Sequence, residues 1–139
     1  MAWNNRRMSA IDNRGPDKMK SVYRDATAYT TKDGSTIREL MHPVAHAHLD
    51  VRAQSLAEAV VEPGQTTTLH KHLKSEEIYH VTAGSGLMTL GDKRFEIGVG
   101  DSVVIAPGTK HCVKNIGAMP LKILCACSPA YAHEDTVLL

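Results

Sequence analysis

The stretch at 64–84, GQTTTLHKHLKSEEIYHVTAG, constrains this chain more than any other. It sets His70 and His72 two residues apart, follows them with Glu77, and is framed by Gly64 and Gly84. In an extended strand residues i and i+2 point to the same face, so His70 and His72 can present two imidazoles to one point. Two same-face histidines followed by a carboxylate make a metal site the leading expectation. A second stretch at 100–115, GDSVVIAPGTKHCVKN, adds His111 just after a Pro-Gly turn. Three imidazoles and one carboxylate are then available to a single ion.

Around these residues the chain reads as β-structure. Short β-prone runs at 66–72, 77–82, 86–90, 93–97, 102–106, 111–115 and 121–127 are separated by glycine and proline turns. Many short strands with such separators predict a β-sandwich or jelly-roll barrel. The segment at 55–62, SLAEAVVE, has residues that favour helix, but it is short and ends at Pro63-Gly64. A strand is expected there. At 29–40, Asp33-Gly34 marks a turn between two β-prone runs and predicts a hairpin or strand entry. The tail at 128–139 is expected to add a closing strand or a dimer contact. The polar, weakly patterned residues 1–28 are expected to form a flexible N-terminal arm ahead of one barrel domain at 29–139.

The two histidine stretches resemble the signatures of the cupin superfamily. The first signature is glycine, five residues, His-Xaa-His, four residues, glutamate, six residues, glycine, and Gly64, His70, His72, Glu77 and Gly84 match it. That spacing selects Glu77 over its neighbour Glu76, which strand alternation sends to the opposite face. The second signature is matched at Gly100, Gly108, His111 and Asn115, with Ala106 in place of its proline and Pro107 one position later. The resemblance covers about 64–115 and extends through flanking strands to 55–127. It implies an all-β fold, the cupin-type jelly-roll β-barrel or double-stranded β-helix. It also implies that His70, His72, Glu77 and His111 hold one divalent transition metal ion per chain. Neutral imidazoles and a carboxylate suit Mn, Fe, Ni, Zn, Cu or Co, and ligand type does not choose among them.

Three function classes fit such a centre. The first is an oxygenase or other oxidoreductase acting on a small oxygenated or anionic metabolite through open positions on the ion. The second is a redox-neutral isomerase, epimerase or lyase that uses the ion as a Lewis acid. The third is a non-catalytic cupin that binds a metal or metabolite. A dication with three neutral histidines and one glutamate leaves a site of formal charge about +1, so small anionic substrates are expected. Tyr79 shares a strand face with Glu77 and is the candidate catalytic residue, as a hydrogen-bond donor beside the ion or else as core. His80, Lys110 and Cys125 are further acid-base candidates by residue type alone.

The remaining motifs point to no other chemistry. His42, His46 and His48 lack the glycine frame and the following carboxylate, so an exposed loop is expected, with a second metal site or a pocket lid as the alternatives. Cys125 and Cys127 lie one residue apart on a strand, at or beyond the reach of a disulfide, and are expected to pack as small apolar residues lining the cavity with Ile123. Cys112 should face away from His111. Lys71, Lys74 and Lys110 are the basic residues near the signatures, and solvation explains them. Net charge is +1, with one Phe and one Trp, so neither nucleic acid nor an anionic membrane is an implied partner. No apolar run approaches the ~20 residues that span a bilayer, and the amino terminus lacks an apolar signal core. A cytoplasmic homodimer is expected, since pairing would cover open barrel edges.

Overall fold

The structure is a computed structural model and describes residues 18–139. Eleven strands run in chain order among these residues. They are β1 (Tyr29–Thr30), β2 (Thr36–Met41), β3 (Ser55–Val61), β4 (His70–His72), β5 (Glu76–Ala83), β6 (Ser85–Leu90), β7 (Lys93–Gly98), β8 (Ser102–Ile105), β9 (His111–Asn115), β10 (Leu121–Ser128) and β11 (Thr136–Leu138). All pairings are antiparallel. One sheet has the order β1-β2-β3-β10-β5-β8 and the other β11-β4-β9-β6-β7. Two antiparallel sheets closed by crossovers make the jelly-roll β-barrel of the double-stranded β-helix.

Strict alternation produces the core. Along β3 and β10 every second residue is buried, which points Ala57, Ala59, Val61, Leu121, Ile123 and Cys125 inward. Away from Glu77 along the strands the core is filled by Met88, Val81 and Val113, while Ile105 lies directly opposite Glu77. The helix-favouring residues of β3 are overridden because β2 and β10 pair on both sides of that strand. Gly84 has φ +80°, and a Cβ there would lie 2.7 Å from the Pro120 carbonyl oxygen, so only glycine joins β5 to β6 this closely.

Several boundaries differ from the sequence expectation. The expected strand at 66–72 is regular only over β4, because Thr66 makes an isolated bridge to Lys114 and Thr67 caps Val113 instead of continuing a ladder. The missing signature proline has no effect on the turn into β9. Gly108 adopts φ +78° and its N–H donates to the His72 carbonyl at 2.7 Å. Of the expected 1–28 arm, residues 1–17 lie outside the described residues. The rest lies along the outer face of the β2–β3 pair, where Ser21 donates to the Leu40 carbonyl and Tyr23 Oη to Glu58 at 2.6 Å.

Candidate metal centre

Each site residue is placed by its strand. His70 and His72 both point inward from β4, and the register pair of His70 with His111 brings the third imidazole alongside from β9. Glu77 reaches across from β5 in the facing sheet. All four are buried, His111 completely. One nitrogen from each of the three histidines lies within 4.8 Å of the others. Glu77 Oε1 stands 3.4 Å from both His72 Nε2 and His111 Nε2.

The outer nitrogens of the rings fix which way the inner ones face. His70 Nδ1 donates to the Thr68 carbonyl at 2.7 Å and His111 Nδ1 to the Thr109 carbonyl at 2.9 Å. A carbonyl only accepts, so in both rings Nδ1 carries the proton and the neutral ring leaves a lone pair on Nε2. His72 Nδ1 lies 3.1 Å from Thr136 Oγ1, whose own hydrogen is given to the Ala132 carbonyl, which sets the same tautomer. Three lone pairs therefore converge beside a carboxylate. His111 Nε2 and Glu77 Oε1 have no hydrogen-bond partner among the described residues. Buried acceptors are left unpaired in this way where a cation belongs, so the donor set fits a transition metal.

Electrostatics agree with an anionic Glu77. Burial works to raise its pKa, and only a hydrogen turned to it from His111 and His72 Nε2, in place of the lone pairs described above, would hold the carboxyl at about 2 in the metal-free site. Burial, reinforced by the neighbouring His111, lowers the pKa of His70 and favours its neutral ligand form. Cys127 Sγ donates to Glu77 Oε2 at 3.1 Å, so this thiol orients the carboxylate. Burial raises the pKa of Cys127, and raises that of Cys125 and Tyr79 well above their ordinary values, which keeps all three protonated.

Around the centre is a cavity of about 50 Å³, room for an ion and a few further atoms. Its walls include Tyr79, Cys125 and Cys127, as the sequence led one to expect, and also Asp33, Glu39, Tyr29 and Tyr131. Ile123 packs in the core and not on this wall. His80 points outward, bonded to Ser102 at 2.8 Å, and Lys110 is exposed, so neither acid-base candidate reaches the cavity. Tyr29, Glu39 and Tyr131 also wall a wider outer cavity of about 340 Å³, whose rim holds His42, Val44 and Ala45. The 42–48 segment is thus the turn at the mouth. His42 Nε2 is bonded to the Tyr131 carbonyl at 2.7 Å and His42 Nδ1 accepts from Val44 N–H, so this ring holds the loop in place.

Asp33 and Glu39 were missed as site residues because nothing local marks them. Asp33 reads as a turn residue, and Glu39 as one polar position of a strand. Glu39 Oε1 accepts from Tyr29 Oη at 2.7 Å, while its Oε2 is buried without a partner among the described residues. Among the described residues no lysine or arginine lines either cavity.

The family profile described as "Cupin domain" matches residues 57–127, more than half of the chain. This chain belongs to the cupin family. The uncharacterized protein MJ1618 of Methanocaldococcus jannaschii is 51% identical over 121 residues, 87% of this cupin and 94% of its relative. A mannose-1-phosphate guanylyltransferase of Escherichia coli is 28% identical over 103 residues, 73% of this chain but only 22% of that enzyme. In fold, the cupin resembles oxalate decarboxylase from Bacillus subtilis with a TM-score of 0.74 and 20% identity, over 87% of this chain and 32% of that one.

Proposed function

We propose that this cupin is a metal-dependent enzyme that binds a small, uncharged molecule rich in hydroxyl or carbonyl oxygens and rearranges it without net oxidation. Isomerisation and dehydration are the reaction types that the reading favours. The observation that carries it is the pairing of a three-histidine, one-glutamate donor set with two further carboxylates, Asp33 and Glu39, in a cavity that no lysine or arginine lines among the described residues. His70, His72, His111 and Glu77 would hold the ion, which when bound supplies a Lewis acid to polarise a substrate oxygen.

The chain's own groups account for the rest. Glu39, on the wall of both cavities, hydrogen-bonded by Tyr29 through one oxygen and with the other buried and unpartnered among the described residues, is the candidate to accept a proton from a substrate carbon or hydroxyl. Tyr79 and Tyr131 keep their hydrogens, since burial raises the Tyr79 pKa and pushes that of Tyr131 up to about 12, so they serve as neutral donors. The bulk of the substrate would sit in the outer cavity and its reactive end in the inner one. The sequence pointed first to oxygen chemistry and to an anionic substrate. Two acidic side chains beside the centre disfavour an anionic substrate, and an oxygenase would leave the proton-accepting capacity of Glu39 without a task.

Elemental analysis of untagged protein purified without chelators is the first test, and close to one transition metal per chain is expected. Cobalt-substituted protein is then titrated with dihydroxyacetone and with oxalate while the visible spectrum is recorded. A response to the neutral hydroxyketone supports the reading. Protein that cannot be loaded with metal, a response to oxalate alone, or dioxygen uptake during turnover would overturn it. We further propose a cytoplasmic homodimer, a setting that suits three free thiols and an exposed apolar sheet face.

A further inference from the structure

We propose that Asp33 is a fifth protein ligand of the centre, a carboxylate that lies in neither signature stretch. The inference rests on reading the three histidines and Glu77 as a metal site. Asp33 sits in the turn between β1 and β2, and its Oδ1 accepts three hydrogen bonds. These come from Thr31 Oγ1 at 2.6 Å, Ser35 Oγ at 2.6 Å and Ser35 N at 2.9 Å. Three donors on one oxygen fix the plane of the carboxylate and direct Oδ2 to the histidine cluster, 3.8 Å from His70 Nε2.

The turn is held to the site by its backbone. Thr68 N–H donates to the Asp33 backbone carbonyl at 2.7 Å, and the Thr68 carbonyl accepts from His70 Nδ1, so a single residue ties the backbone of the turn to the His70 ring. Lys32 Nζ binds the His133 carbonyl at 2.9 Å and anchors the same turn to the segment that enters β11.

The separation between Asp33 and His70 is that of two ligands sharing an ion. At 3.8 Å it exceeds a hydrogen bond, and His70 Nε2 carries no hydrogen in the tautomer set by Thr68. A lone pair facing a carboxylate oxygen is repulsive unless a cation lies between them. Donor atoms that share an ion at about 2.0–2.2 Å stand roughly 3–4.4 Å apart, which includes this distance and the 3.4 Å from Glu77 to His72 and His111; both carboxylates stand outside the trio of histidine nitrogens that lie within 4.8 Å of one another, so an ion seated on that trio would have to draw both of them in. Two carboxylates also bring a dication to formal neutrality, which deepens the preference for an uncharged substrate.

The test is titration of metal-stripped wild type, Asp33→Asn and Glu77→Gln with Co²⁺, read by calorimetry and by the visible spectrum. Asparagine keeps the Oδ1 acceptor of the turn and removes only the second carboxylate oxygen. Asp33→Asn is expected to lose 10- to 100-fold in Co²⁺ affinity and to shift the cobalt bands, with its metal-free unfolding midpoint close to wild type. Wild-type affinity and spectrum in Asp33→Asn, alongside a loss in Glu77→Gln, would overturn the assignment of Asp33 while the metal site stands. If wild type itself takes up no Co²⁺, the reading of the centre falls and this inference falls with it. Should Asp33→Asn fail to fold, Ser35→Ala decides. It loosens the same carboxylate, so weakened Co²⁺ binding supports the role and unchanged binding overturns it.

Discussion

A histidine coordinates a metal through one nitrogen only when the other has a fixed partner, and here all three partners are visible. Thr68, Thr109 and Thr136 each occupy an Nδ1 and leave an Nε2 lone pair in the cavity. Removing one donor should therefore empty the site. His72→Ala and Glu77→Ala are expected to retain less than about a tenth of the wild-type metal content by elemental analysis after identical purification. Acid should act in the same direction. The His70 pKa is lowered from its ordinary 6.5, so below that value the unfolded chain takes up a proton that the folded one resists. Glu77, lowered from 4.5 to about 2, adds a second loss between those values. The melting temperature of metal-free protein is expected to fall as pH drops below about 6.5, and to fall faster below 4.5. A flat profile from pH 7 to 3 would contradict the burial of His70 and the effect of the His72 and His111 rings on Glu77. The convergence of His70, His72 and His111 beside Glu77 was legible in the sequence because strand parity and turn spacing are local properties. Asp33 and Glu39 were not, because a carboxylate in a turn or on a strand carries no local mark of what it will face.

At the scale of elements, the site is a joint between sheets. Three candidate ligands come from β4 and β9 of one sheet and the fourth from β5 of the other, so the two faces must keep their separation for these side chains to meet. The closing strand β11 pairs with β4 and sets Thr136 opposite His72. Replacing its hydroxyl in Thr136→Val removes the partner of His72 Nδ1, and a 10- to 100-fold loss of metal affinity by calorimetry is expected with the barrel intact. The β5–β6 junction tests the frame instead of the ligands. In Gly84→Ala the new methyl meets backbone at 2.7 Å in a left-handed conformation, and chemical denaturation should show a loss of about 2 kcal/mol or more. The run at 55–61 shows why element type was harder to read than site spacing, since Ala, Leu and Glu favour helix and only pairing with β2 and β10 makes it β3.

Over the whole molecule, the ends of the barrel do different work. One is packed solid around Met88, which is fully buried, and Met88→Ala is expected to cost about 2–5 kcal/mol in denaturant unfolding without emptying the site. The other end is open and polar and holds the centre with its outer cavity. On the outside of the six-stranded sheet, Ile78 and Val104 are cross-strand neighbours and are 44% and 62% exposed. Their pairing with a second copy gives the proposed dimer its contact, and Val104→Asp should shift sedimentation from dimer to monomer. A wild-type monomer at micromolar concentration would remove that role. The sequence by itself determined the fold class and most of the strand runs along the chain, because alternation and turn chemistry act over a few residues, and the signature spacing singled out His70, His72, Glu77 and His111 as the candidate site. Only the tertiary structure decided what surrounds them. The β1–β2 turn, the 42–48 loop and the segment before β11 are separated by up to about a hundred residues, and sheet pairing alone brings Asp33, Glu39 and Tyr131 to one cavity.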